Sequence, residues 1–293
     1  MSNETQHQRT IRTVHRAQRA DMDNLPTVRP LPTSKLSQQD MDPFIFLNHH
    51  GPTQYPPGND GLPFEPHPHR GMQTVTFIVD GDVLHRDNVS GEESIIEAGG
   101  VQWMVAGEGL LHLETSSERF QREGGDVEIL QLWVNLPSEH KSVQPTYVGL
   151  QDGDIPVVKS DDGKTRTRVI TGSVNGQQGA MEALTDVEMY WIDFDKQGVF
   201  ETEIDASKRI FLYVVQGAVE VNGESVDAMN LVEFDDDGDH ISMRATDDSL
   251  VLLGHATPYD EPIVARGPFV MNSAQEIEEA YRDLRSGGFG TWP

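Results

Sequence analysis

The sequence predicts a mostly β chain made of two similar barrel units in tandem and closed by one helix. Three observations carry this expectation. Apolar runs of 4 to 8 residues recur between Gly, Asp, Asn and Pro, while helical periodicity is almost absent until the end. The segment 73–79, the pair Asp80-Gly81 and the segment 82–85 read as strand, turn and strand, because Asp-Gly tolerates the positive φ of a tight hairpin. Segments 211–215 and 218–221, joined by Gln216-Gly217, repeat that plan at an offset of 136 residues, 217 minus 81.

Between the two repeats, 151–179 is rich in Gly, Asp, Ser and Gln, with a short strand expected over 167–171. The expected boundaries are therefore a first domain over 1–145, a partly ordered linker over 146–180 and a second domain over 181–293. The closing helix is marked by Asn272 or Ser273 as cap and by Glu276, the capping-box acid three positions beyond Ser273. Ile277, Ala280, Tyr281 and Leu284 form its apolar side, and Gly287-Gly288 ends it.

Composition narrows the chemistry. With no cysteine in 293 residues, disulfides, thiolate metal sites, iron–sulfur clusters and a cysteine nucleophile are excluded. Acidic residues number 48 against 22 basic ones, a net charge of −26 that repels phosphate backbones, so no direct nucleic-acid contact is expected. Only six of the basic residues are lysines. Dense carboxylates of this kind suit a high-salt interior, where ions screen their repulsion. The stretch 1–21 carries Arg9, Arg12, Arg16 and Arg19 but no apolar core of a signal peptide, and no segment approaches the ~20 apolar residues of a membrane helix. A soluble cytoplasmic protein without a membrane partner is expected.

Two strings carry the chemistry: His67-Pro68-His69 and His112-Leu113-Glu114. Residues at i and i+2 of a strand share a face, so each string offers two donors together. Three imidazoles and one carboxylate make an N/O set for one borderline divalent cation, Fe(II), Mn(II), Ni(II) or Zn(II). One His-x-His alone is more often a packed pair; the second pair, reached through the glycines of Ala106-Gly107-Glu108-Gly109, changes that balance.

The runs Pro66-His67-Pro68-His69-Arg70-Gly71 and Gln102-Trp103-Met104, then Ala106-Gly107-x-Gly109-x-x-His112-x-Glu114, resemble the signature of the pirin family, a bicupin group. Leu132-Trp133-Val134-Asn135-Leu136 and Gly267-Pro268-Phe269-Val270-Met271-Asn272 extend the resemblance from about Pro43 to Gly290. It implies two cupin barrels (double-stranded β-helix, or jelly-roll), the first holding a single iron through His67, His69, His112 and Glu114. Cobalt joins the ions that such a set accepts. About two positions of an octahedral ion stay open for water, O2 or substrate. Where wider cupins carry an acid four residues after the second histidine, this chain has Gln73, which brings no charge.

In the second barrel the resemblance implies that the metal site is lost. The offset of 136 sets Glu203 and Asp205 against His67 and His69, and Asp248 and Leu250 against His112 and Glu114, with no imidazole among them. The activity implied is a quercetin 2,3-dioxygenase-like ring opening of flavonols, with a small aromatic substrate and O2 as partners and Glu114 as ligand or as the base that takes the hydroxyl proton. A redox-sensing regulatory role through a protein partner, as in pirin-type transcriptional cofactors, is the alternative it implies.

Other candidates rank lower. Gly107-Glu108-Gly109 lacks the third glycine and the βαβ setting of a dinucleotide site, and no nucleophile elbow is visible. His49-His50 are expected in a turn, His85 as a core or rim histidine, and His240 and His255 without metal partners. Arg70 is expected in an ion pair. Phe46, Phe64 and Met104 are read as core packing rather than as pocket lining.

Overall fold

A computed structural model of the chain describes residues 7–23 and 25–292. The fold is mostly β, with two cupin barrels and few helices. Two compact units form: 18–154 with 259–293, and 155–258 with the described residues up to Ala17.

The first unit pairs a seven-stranded sheet with a four-stranded one. The seven run, across the sheet, Thr146–Leu150, Val101–Val105, Met72–Asp80, Gly125–Asn135, Phe44–Tyr55, Thr27–Leu31 and Gln18–Arg19; the four are His67–His69, Leu110–Thr115, Asp82–Asp87 and Glu93–Glu97. The second unit repeats the plan with seven strands from Ile11–Arg16 to Val157–Lys159 and four comprising Val199–Glu203, His240–Ala245, Ala218–Val221 and Glu224–Asp227. Its interior is packed with apolar side chains, among them Phe194, Leu212, Val221, Ile241 and Met243.

The two expected hairpins are instead corners. Met72–Asp80 pairs with Gly125–Asn135 and Val101–Val105, whereas Asp82–Asp87 pairs with Leu110–Thr115 and Glu93–Glu97. Gly81, at φ +88°, passes the chain from the larger sheet to the smaller, and a Cβ there would lie 3.0 Å from the Asp126 carbonyl oxygen. Gly217, at φ +76°, does the same between Arg209–Gln216 and Ala218–Val221. A left-handed glycine signals a sharp reversal, but neighbouring strands decide whether its flanks pair or part.

The domain boundaries also differ from those read in the sequence. Thr146–Leu150 is an edge strand of the first unit, paired with Val101–Val105, and Val157–Lys159 and Thr165–Thr171 belong to the second unit's large sheet. Ile11–Arg16 pairs with Asn230–Phe234 in the second unit. Near the other end, Val270 N–H donates to the Arg70 carbonyl at 3.0 Å within the first. Local composition reports that a segment is turn-rich or strand-like; it does not report which sheet edge receives it.

The closing helix, Ala274–Arg285, follows its sequence signals. Ser273 Oγ accepts from Glu276 N–H, while Glu276 Oε2 accepts from Ser273 Oγ at 2.7 Å and from Asn272 N–H at 3.1 Å. Ile277 and Ala280 are buried beside Phe269, Met271 and Phe289, with Tyr281 and Leu284 against them. One further helix, Glu118–Glu123, capped by Ser117, was not foreseen, because six residues are under two turns and only Phe120 is buried. Among the described residues, no helix is long and apolar enough to cross a membrane.

Lys141 ties the first unit together near the site. Its buried Nζ donates to the carbonyls of Gly71 (2.8 Å) and Val270 (3.1 Å) and to Asn135 Oδ1 (2.8 Å). Burial pulls the ammonium down to about 8, against the partial support of Glu261, Glu276 and Asp42. The folded chain then releases this proton near pH 8, while the unfolded chain keeps it to 10.5. Between those values the unfolded state binds more protons, so this residue's contribution to stability rises with pH. Denaturant midpoints at pH 7.5 and pH 10 are expected to show that rise, at most about 3 kcal/mol, in the parent and not in Lys141→Met.

Candidate metal centre

The small sheet of the first barrel aligns the donors by register. His67 lies opposite His112, and Glu114 lies opposite His85, on strands His67–His69, Leu110–Thr115 and Asp82–Asp87. Donor atoms of His67, His69 and His112 all fall within 4.8 Å of one another; those of His85, His112 and Glu114 form a second such group. His112 is common to both. The ring centroids of the first three are 4.4 to 4.9 Å apart, and His112 Nε2 stands 3.0 Å from His67 Nε2.

Backbone carbonyls fix how two rings are protonated. His67 Nδ1 is 2.8 Å from the Glu65 carbonyl and His69 Nδ1 is 3.3 Å from that of Pro268. A carbonyl only accepts, so each Nδ1 carries the hydrogen and each Nε2 keeps its lone pair. Burial, reinforced by the neighbouring imidazoles, holds the pKa of both His69 and His112 well below the ordinary histidine value. His112 Nδ1 is buried without a partner among the described residues. With both Nδ1 atoms occupied by carbonyls, His67 and His69 turn their Nε2 lone pairs toward the same point beside His112. The donor set therefore fits a single divalent metal ion.

Glu114 is held from the facing sheet. Thr76 Oγ1 donates to Glu114 Oε1 at 2.8 Å, and Gln131 Nε2 donates to Thr76 Oγ1 at 3.3 Å. Thr74 and Thr76 face this interior, so Gln73, one residue out of phase, faces away, and its Oε1 accepts from Trp103 Nε1 at 3.0 Å. Its lack of charge has no bearing on the donors. In Thr76→Val, Glu114 loses its partner; calorimetry is expected to show metal affinity reduced by about 10- to 100-fold.

A cavity of about 450 Å³ opens onto His67, His69 and Glu114. Phe46, Phe64, Trp133 and Pro268 supply its apolar walls and Arg29, Asn48, His50 and Gln131 its polar ones. Phe46 and Phe64 are thus pocket lining, contrary to the core reading, whereas Met104 is buried with Ala106 and Leu110 as expected. Trp133 stacks on Phe46 at 4.4 Å and meets His69 edge-on at 5.3 Å. It sits opposite Thr74, so strand parity alone assigns it to the donor face.

His49 and His50 lie within the strand Phe44–Tyr55, not in a turn, because pairing on both sides carries that strand past them. His49 Nε2 meets Glu128 Oε1 at 2.8 Å, in the interior. His50 Nδ1 lies 2.8 Å from Thr27 Oγ1, whose hydrogen goes to the Leu25 carbonyl at 3.0 Å. Burial, with lesser effects of His49 and Arg29, pushes the His50 pKa down to about 3, so His50 adds no charge to the cavity wall. His85 is a core histidine on Asp87 Oδ2 at 3.1 Å, stacked on Tyr147 at 4.0 Å. Arg70 makes the expected ion pair, with Asp283 at 2.6 Å.

In the second barrel the constant offset of 136 holds at the corner and fails on either side of it. His85 plus 136 is Val221; as His85 faces Glu114, so Val221 faces Met243. Two residues back, Ile241 matches His112 and faces Thr202 as His112 faces His67. The donors' counterparts are therefore Thr202, Ile204, Ile241 and Met243. Glu203 and Asp205 are one residue out of register, which puts them on the other face, where both are exposed.

The pirin profile matches residues 25–134 and that of the pirin C-terminal cupin domain matches 189–290. The chain belongs to the pirin family. A Pseudomonas aeruginosa relative provisionally named quercetin 2,3-dioxygenase is 36% identical over 262 residues, covering 89% of this chain and 91% of its own. A pirin-like protein of Caulobacter vibrioides is 35% identical over 253 residues, 86% of this pirin and 88% of its own length. The crystal structure of a quercetin 2,3-dioxygenase from Acinetobacter baumannii is similar at a TM-score of 0.91 and 31% identity, covering 97% of this chain and 99% of that one.

Proposed function

We propose that the first barrel binds one Fe(II) through His67, His69 and His112, with Glu114 as fourth donor, and that the chain is a dioxygenase opening flavonols such as quercetin. The observation that carries this is the clustering of His67, His69 and His112, with Glu114 grouped on the same His112, beside an aromatic-walled cavity lined by His67, His69 and Glu114. The flavonol and O2 come from the relatives' names. When bound, the metal supplies a Lewis acid and template for the substrate's hydroxyl oxygen and for O2.

The chain's own residues do the rest. The carbonyls of Glu65 and Pro268 aim two imidazoles, and burial keeps His69 neutral and able to donate. Phe46, Phe64 and Trp133 offer flat apolar faces to a planar ligand and exclude water from it. Glu114, steadied by Thr76, takes the proton from the substrate hydroxyl.

The test is anaerobic incubation of iron-loaded protein with quercetin, followed by admission of O2 and detection of carbon monoxide. Release of about one carbon monoxide per quercetin consumed is expected from the parent chain and none from Glu114→Ala. Quercetin left intact by the folded, iron-loaded parent overturns the proposed activity. Elemental analysis of protein purified without added metal identifies the ion.

A further inference from the structure

One group in the cavity is left unused by that reading. Arg29, on the strand Thr27–Leu31, is half-buried in the cavity wall, with its guanidinium carbon 4.9 Å from the centroid of the Phe46 ring. Its Nε donates to Asn48 Oδ1 at 2.9 Å. Among the described residues no carboxylate pairs with it, whereas Arg12, Arg70, Arg119 and Arg209 each reach one. In a chain with 48 acidic residues, a cation kept from all of them inside an apolar cavity stands out. Desolvating a guanidinium without a partner costs stability, and burial is what lowers its pKa here. Both terminal nitrogens remain as donors, in the planar fork that matches a carboxylate.

The rest of the wall offers no anion-binding alternative. His50 is uncharged, Asn48 and Gln131 are neutral amides, and the acid Glu114 sits at the donor end, bonded to Thr76. The aromatic faces of Phe46, Phe64 and Trp133 are part of the same surface.

We propose that Arg29 is a specificity residue and that the pocket selects planar aromatic compounds bearing a carboxylate, which Arg29 binds while the rings lie on Phe46, Phe64 and Trp133. The proposal rests on the reading that this cavity is the substrate site, and it adds an acid to the phenolic ligand.

The test compares 2-naphthoate with neutral 2-naphthylmethanol by calorimetry on the full-length, metal-loaded chain and again after chelation. The parent is expected to bind the acid at least about tenfold more tightly in both states. Arg29→Gln is expected to lose that preference with its affinity for the alcohol kept within about twofold, and Arg29→Lys to retain part of it. Equal binding of both probes by the parent, or binding of neither, overturns the proposal. So does a preference that survives Arg29→Gln or vanishes on chelation, because the metal would then be holding the acid. Since quercetin carries no carboxylate and the chelated arm needs no metal, failure of the dioxygenase reading in the carbon monoxide assay is distinguishable from failure here.

Discussion

Replacing His112 by alanine is expected to abolish metal binding while the barrel stays folded. His112 is the one residue shared by both groups of converging donors, so its loss empties the centre whichever group holds the ion. Removing a ligand should weaken affinity by well over the roughly 100-fold upper range for a supporting residue. Folding should survive, because the buried Nδ1 leaves no partner behind when it goes. Thermal unfolding measures this directly: metal at 100 times the parent dissociation constant is expected to stabilise the parent by about 2.7 kcal/mol and the variant not at all. His69→Ala and His85→Ala then separate the two groups. Loss in the first with retention within a few-fold in the second is the expected pattern; the reverse would move the ion toward His85.

Gly71→Ala is expected to cost the first unit a large part of its stability. Gly71 has φ +79°, and a Cβ there would be driven into the Val270 carbonyl oxygen, with Met271 Sδ at 2.8 Å. A left-handed alanine costs about 1 to 2 kcal/mol and displacing packed backbone a further ~1 to 3 kcal/mol, so a total of about 2 to 5 kcal/mol is expected. Gly58→Ala is the control: φ is +75°, but nothing lies within 4 Å, so only the conformational cost of about 1 to 2 kcal/mol applies. Equal denaturant midpoints for the two variants would refute the packing argument. Gly71→Ala should also weaken metal binding, since Pro268, whose carbonyl orients His69, lies two residues before the displaced Val270.

Much of the candidate site could be read from the sequence because strand parity is local. Two histidines at i and i+2 must share a face, and the spacing of the two strings was enough to suggest one centre. Parity also misled where its phase was assumed. A fixed offset chose Glu203 and Asp205 over Thr202 and Ile204, one residue short of it, and it chose Asp248 and Leu250 over Ile241 and Met243 because the connection between paired strands is seven residues shorter in the second barrel, 136 minus 129. Phe46, His50 and Arg29 could not be assigned to the cavity, since their strands reach it only by pairing into a sheet whose order is not local. The Asp80-Gly81 pair shows the same limit: the turn was legible, the parting of its two strands between sheets was not. The short helix at Glu118–Glu123 carried too few buried positions to leave a pattern.

The Pro268 carbonyl that orients His69 comes from a part of the chain synthesised almost 200 residues later, and Phe269, Ile277 and Phe289 close over the same unit. A ribosome that has completed every strand of the first barrel has therefore not yet delivered the acceptor that fixes one imidazole's tautomer. A chain released before that segment emerges keeps Trp133 against the His69 ring but lacks the carbonyl that sets which of its nitrogens carries the hydrogen.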